Sequence, residues 1–90
     1  MDQLRLGIAD DNLEFCMLLR DYFEAQPGFK IEIIAHNGQE LIRALRQTKI
    51  DVLLLDMIMP EIDGLGVLKW LKEHQLSEKP KVIIFSAFAK

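Results

Sequence analysis

Two aspartates, Asp10 and Asp11, stand side by side where the apolar run "LRLGIA" ends. A second apolar run, "DVLLLD", closes on Asp56, and a third, "KVIIF", is followed by Ser86. Carboxylates brought together disfavour one another's ionised form, and a divalent cation removes that penalty. All-oxygen donors favour Mg²⁺ over softer metals, with Ca²⁺ or Mn²⁺ able to substitute. Mg²⁺ often keeps several waters, so two or three carboxylates suffice and positions stay open for a phosphoryl group. A carboxylate held there can act as a nucleophile and become an acyl phosphate, while the metal neutralises charge on the transferred group. Taken alone, Asp10-Asp11 also fits a solvated strand end with a helix cap, and Ser86 fits a plain strand-end hydroxyl.

The elements that would carry these residues follow from hydrophobic periodicity. Residues 4–9 read as a short buried strand, and Asn12 as the N-cap of a helix, with Asp11 and Glu14 where negative charge suits a helix start. Phe15, Leu18, Leu19, Tyr22 and Phe23 recur on one helix face, and Pro27-Gly28 stops that helix. Residues 30–35 form a second strand, Asn37-Gly38 a turn, and Leu41, Ile42, Ala44 and Leu45 a shorter amphipathic helix. Residues 51–56 are apolar on both sides of any pleat, the pattern of a central parallel strand covered on both faces. "MIMPEIDG" (residues 57–64) is a loop, since Pro60 and Asp63-Gly64 break regular structure. Leu65, Val67, Leu68 and Leu71 mark a third helix, weakened slightly by Gly66, and residues 81–85 a fourth strand. The alternation predicts a doubly wound parallel α/β sheet with right-handed crossovers. In such a sheet chemistry gathers at the carboxyl ends of the strands, which is where Asp10, Asp11, Asp56 and Ser86 fall.

Ninety residues make one small domain, spanning 1–90. Half the residues are hydrophobic and 28% are charged, which excludes bulk disorder. A net charge of −3 argues against non-specific binding of nucleic acid or anionic membrane by this domain. The single cysteine, Cys16, favours a reducing cytoplasm over a secreted disulfide scaffold. Neither a signal peptide nor an apolar run of about 20 residues is visible.

Asp10-Asp11 after the first strand, Asp56 after the third, "MIMPEIDG" after that, and Ser86-Ala87 after the fourth together resemble the response-regulator receiver family, the phosphoacceptor modules of two-component systems. The resemblance runs from residue 4 to residue 90. Within the family, "ADDN", "AHNGQE", "DVLLLDMIMPEIDGLGVL" and "SAF" are similar to the receivers of the sporulation-initiation transcription factors of endospore-forming bacteria. The resemblance implies a flavodoxin-like fold with strand order 2-1-3-4. It implies Asp56 as the phosphorylation site, and Asp11 and Asp56 as direct Mg²⁺ ligands, with Asp10 helping through water. The backbone carbonyl of Ile58 would be a further ligand and Ser86 the switch hydroxyl, while Pro60 and Gly64 shape the acceptor loop. The implied partners are a histidine phosphotransferase or histidine kinase as donor, and an aspartyl-phosphate phosphatase. DNA would be reached only through a separate output domain. Such a module assists its own phosphorylation and dephosphorylation and is not an enzyme on external substrates.

The family's fifth strand, with its lysine and aromatic switch residue, its last two helices and the output domain find no counterpart in these 90 residues. Lys90 follows the fourth strand too closely to take that lysine's role. Two other readings follow: a phosphorylation-incompetent interaction or dimerisation module, and a Mg²⁺-dependent aspartyl-phosphate phosphohydrolase. Such hydrolases place a second acid two residues after the nucleophile, where this chain has Ile58. The apolar fourth strand, left on a sheet edge, invites pairing or element exchange with a second copy. His36, His74, Trp70, the methionines and Cys16 read as surface or packing residues, and Asp51 and Asp63 as turn residues. The resemblance implies that Asn12, Gln39 and Glu40 flank the site where a partner would touch; surface polarity alone explains them equally well.

Overall fold

A strand of Leu4–Ala9 (β1) opens a computed structural model that describes residues 3–74, 76 and 78–85. It is followed by α1 (Leu13–Glu24), β2 (Phe29–Ala35), α2 (Gly38–Gln47), β3 (Val52–Asp56), α3 (Gly64–Glu73) and β4 (Lys81–Phe85). The four strands form one sheet in the order β2-β1-β3-β4, and every pairing is parallel. The predicted α/β class, the element order and the 2-1-3-4 arrangement all hold.

Each helix begins on a side-chain cap, close behind the strand end for α1 and α2 and after the 57–63 loop for α3. Asn12 Oδ1 accepts from Phe15 N–H at 3.0 Å, Asn37 Oδ1 from Glu40 N–H at 2.7 Å, and Asp63 Oδ1 from Gly66 N–H at 2.9 Å. Such caps satisfy backbone donors that have no partner inside the helix. Asn37 and Asp63, expected as turn residues, therefore also start α2 and α3, which begin at Gly38 and Gly64. Glu40 reaches back to His36 N–H at 2.6 Å and closes the α2 cap from the other side.

The main core lies where α2 and α3 cover the sheet, around Leu41, Leu53, Leu55 and Val67, each fully buried. Burial of each such side chain contributes about 1.5–3 kcal/mol. Register is adjusted by an irregularity at Glu32: Leu6 stands beside Ile31, but Gly7 stands beside Ile33. The extra residue lets Ile33 and Ala35 enter this core beside Ala9.

Helix α1 differs from the sequence reading. Its inward stripe runs through Cys16, which is buried, and through the half-buried Leu19 and Phe23. Leu18 and Tyr22, on the apolar face read from periodicity, are 68% and 63% exposed. The cap at Asn12 sets the helical phase, and the Cys16 thiol packs 3.3 Å from the Asp10 carbonyl oxygen. That phase turns Leu18 and Tyr22 outward. Coverage of β3 on the α1 side is correspondingly partial: Val52 and Leu54 are half-buried, while Leu53 and Leu55 on the opposite side are sealed.

Candidate functional site

Strands β1 and β3 are neighbours in register, with Ala9 beside Leu55, so their ends deliver Asp10-Asp11 and Asp56 to one place. One carboxylate oxygen from each of the three acids lies within 4.8 Å of the others. Asp56 is 1% exposed and Asp10 6%, whereas Asp11 faces solvent. The acids open into a cleft of about 430 Å³ also walled by Asn12, Phe15, Ile58 and Phe85. Phe15 of α1 and Phe85 of β4 meet edge to face at 5.6 Å across its rim.

The backbone orients both buried carboxylates. Asn12 N–H donates to Asp10 Oδ1 at 2.8 Å, and Ile58 N–H donates to Asp56 Oδ1 at 3.2 Å. Burial pushes the Asp10 carboxyl above its ordinary range, against the Asn12 hydrogen bond, and the Asp56 and Asp11 carboxylates push the same way. The pocket therefore holds negative charge at a cost. Its donors are all oxygen, and two of the three are fixed by backbone amides. That set fits a hard divalent cation.

The loop after Asp56 is tied into a ring, since Gly64 N–H donates to the Met57 carbonyl at 3.1 Å. A Cβ at Gly64 would lie 2.7 Å from the Asp56 carbonyl oxygen and from Met57 Cα, so only glycine lets α3 start against the acceptor strand. Glu61, exposed in this loop, is the non-glycine residue with positive φ among the described residues, at 70°.

The structure thus brings together Asp10, Asp11 and Asp56, with Ile58 beside them. Ser86 and Lys90 lie outside the described residues. Sequence reasoning missed Phe15 and Phe85 as cleft walls. It also missed the pairing of His36 Nδ1 with Glu40 Oε1 at 3.4 Å, while His36 Nε2 is buried without a hydrogen-bond partner among the described residues. The i, i+4 spacing of His36 and Glu40 was the available signal.

The family model of the response regulator receiver domain matches residues 6–90. This chain belongs to the response-regulator receiver family. Among solved structures, it is 30% identical to the receiver domain of Francisella response regulator 1452, with a TM-score of 0.83 over 98% of this chain and 69% of that one. The response regulator domain of Thermotoga maritima CheB is 27% identical, with a TM-score of 0.86 over 98% of this chain and 63% of that one. A chain of the complex between the P1 domain of CheA3 and CheY6 from R. sphaeroides is 29% identical, with a TM-score of 0.77 over 99% of this chain and 67% of that one. The receiver described here therefore spans about two thirds of the length of these relatives. No helix among its described residues is long and apolar enough to cross a membrane.

Proposed function

We propose that this receiver accepts a phosphoryl group on Asp56 with the help of Mg²⁺ held by Asp11, Asp56 and the Ile58 carbonyl, with Asp10 supporting through water. The observation that carries the reading is the convergence of three carboxylates from two strand ends within 4.8 Å, two of them buried. When bound, Mg²⁺ offsets the mutual repulsion of the acids and the charge on the transferred group. The Ile58 N–H holds Asp56 Oδ1, which leaves Oδ2 without a protein donor among the described residues. In this reading Oδ2 attacks the phosphorus of a partner's phosphohistidine. The P–N bond breaks and its electron pair returns to the imidazole nitrogen, which is then protonated. Ser86 is the hydroxyl assigned to the phosphoryl oxygen, and the domain spanned by residues 1–90 is the phosphoacceptor unit.

The stretches "ADDN", "AHNGQE" and "DVLLLDMIMPEIDGLGVL" support a place in sporulation control. The donor is then a histidine phosphotransferase or kinase, an aspartyl-phosphate phosphatase resets the switch, and an output domain carries the signal to DNA in the cytoplasm. The CheY6 relative, solved with the CheA3 P1 domain, supports the class of donor. A phosphohydrolase is disfavoured because Ile58 puts a partly exposed alkyl group, not an acid, on the cleft wall two residues after Asp56. Pairing of two copies along β4 is supported by its place at the sheet edge, with Ile83 and Ile84 about half exposed. Light scattering that shows only monomer at high concentration removes that part.

Acetyl phosphate with Mg²⁺, read by intact mass, tests the main reading. One phosphoryl adduct on the 90-residue chain, lost in Asp56→Asn, is expected. An adduct that persists in Asp56→Asn overturns the assignment. No adduct on this chain, with one on a lengthened chain, supports the incompetent-module reading for residues 1–90.

A further inference from the structure

Helix α2 starts against the acceptor loop with no side chain between them. A Cβ added at Gly38 would run into the Ile62 carbonyl oxygen and lie 2.7 Å from the Ile62 carbonyl carbon and Cβ. This is a backbone-to-backbone contact that only glycine permits, and Ile62 belongs to the ring closed by Gly64 N–H on the Met57 carbonyl. Across that ring stands Ile58, whose N–H orients Asp56 Oδ1. Gly64 is held at the other end of the ring, where α3 begins hard against Asp56 and Met57. A push at Ile62 would then fall on the residues between Met57 and Ile62, which include Ile58.

We infer that Gly38 is a positioning residue for the acceptor: its contact with Ile62 sets the loop that aims the Asp56 carboxylate, and events at Asp56 are felt at the start of α2. The inference rests on Asp56 being the metal and phosphoryl site. By linkage, if the position of the α2 start biases binding at Asp56, then binding at Asp56 biases the position of the α2 start. The same turn carries Asn37 and Glu40, whose side chains cap α2 from both directions, so a shift of the α2 start loads both hydrogen bonds.

The test uses the 90-residue chain and two readouts. In the wild type, amide resonances of Gly38 and Gln39 are followed by NMR during a MgCl₂ titration. They are expected to shift with the same midpoint as Ile58 and Met59. In parallel, Mg²⁺ affinity is measured for Gly38→Ala and for the control Gly28→Ala, whose added Cβ meets nothing within 4 Å. Both are compared at a temperature where circular dichroism shows them folded. Gly38→Ala is expected to weaken Mg²⁺ binding roughly 10-fold or more, the size of effect seen when a partner that orients a ligand is lost, and Gly28→Ala to leave it unchanged. Equal affinity in folded Gly38→Ala, or Gly38 and Gln39 amides that stay still while Ile58 titrates, overturns the inference alone. If Gly38→Ala does not fold, the wild-type titration decides. A wild type that binds no Mg²⁺ instead overturns the metal-site reading, and the inference falls with it.

Discussion

Arg5 grips Asp51 three times: its backbone N–H reaches Oδ2 at 2.7 Å, Nε reaches Oδ2 at 3.2 Å and Nη2 reaches Oδ1 at 3.0 Å. Asp51 returns its own N–H to the Arg5 carbonyl at 2.7 Å, and its carbonyl accepts from Lys81 N–H at 2.9 Å. One residue thus ties the starts of β1, β3 and β4 at the end of the sheet opposite the acid cluster. The Arg5 hydrogen bonds hold the Asp51 carboxyl below its ordinary range. A carboxyl depressed in the folded state contributes stability above its unfolded pKa and loses it as pH falls through the folded value. Asp51→Asn is therefore expected to melt lower than wild type near neutral pH, with the gap closing on acidification below the ordinary aspartate range. Thermal melts across that range check this, and a gap that widens toward acid contradicts it.

Asp10 carries the opposite sign. Burial pushes its carboxyl up, so the protonated form is favoured in the folded state. Its contribution is fully present below the unfolded pKa and is lost as pH rises through the folded value. Without metal, Asp10→Asn keeps the oxygen that accepts from Asn12 N–H and sheds the buried charge. It is expected to raise the melting temperature at neutral pH. With Mg²⁺ at 100 times its dissociation constant, the wild type gains about 2.7 kcal/mol by mass action. Asp11→Asn and Asp56→Asn are expected to lose most of that gain. Differential scanning calorimetry with and without MgCl₂ reads both effects.

The sheet was legible because its strands obey simple rules. "DVLLLD" has no polar face, so it had to be central, and β3 lies between β1 and β4. Asp10, Asp11 and Asp56 could be placed together because parallel strands end on the same side, and a short apolar run leaves little doubt where an end is. Less legible was anything set by helical phase. Leu18 and Tyr22 fit an apolar stripe at 3.6 spacing, but Asn12 and Cys16 fix the rotation of α1 and leave them outside. The Gly38–Ile62 contact was invisible for another reason. Asn37-Gly38 reads as a turn whether its glycine serves backbone angles or close approach, and here no described glycine has positive φ. Likewise Asp51 read as a turn acid, because a partner 46 residues away leaves no mark in local spacing.

Glu61 is where local preference and structure conflict. Its φ of 70° lies in the left-handed region that costs a β-carbon-bearing residue roughly 1–2 kcal/mol. Its side chain is exposed and makes no ion pair among the described residues. Glu61→Gly is expected to stabilise the domain by about 1 kcal/mol, after allowing for the extra freedom glycine gains in the unfolded chain. Urea denaturation measures this as a higher midpoint with unchanged slope. A destabilised Glu61→Gly would mean that the carboxylate has a partner in solution that outweighs the backbone strain.

Cys16 is expected to be chemically silent while the fold is intact. It is fully buried on the inner face of α1, and burial, together with the nearby Asp10 charge, raises its thiol above the ordinary range. Reactivity belongs to the thiolate, so both access and ionisation are withheld. Labelling by a disulfide reagent should then follow opening of the β1–α1 region and speed up with urea in parallel with global unfolding. Cys16→Ala removes the sulfur that bonds the Asp10 carbonyl and leaves a small void, at a cost of about 1 kcal/mol. If native labelling is fast and insensitive to urea, α1 must lift from the sheet locally. The Asn12 cap and the cleft wall at Phe15 would then open with it, and Mg²⁺ should slow the labelling by holding Asp10 and Asp11 in place.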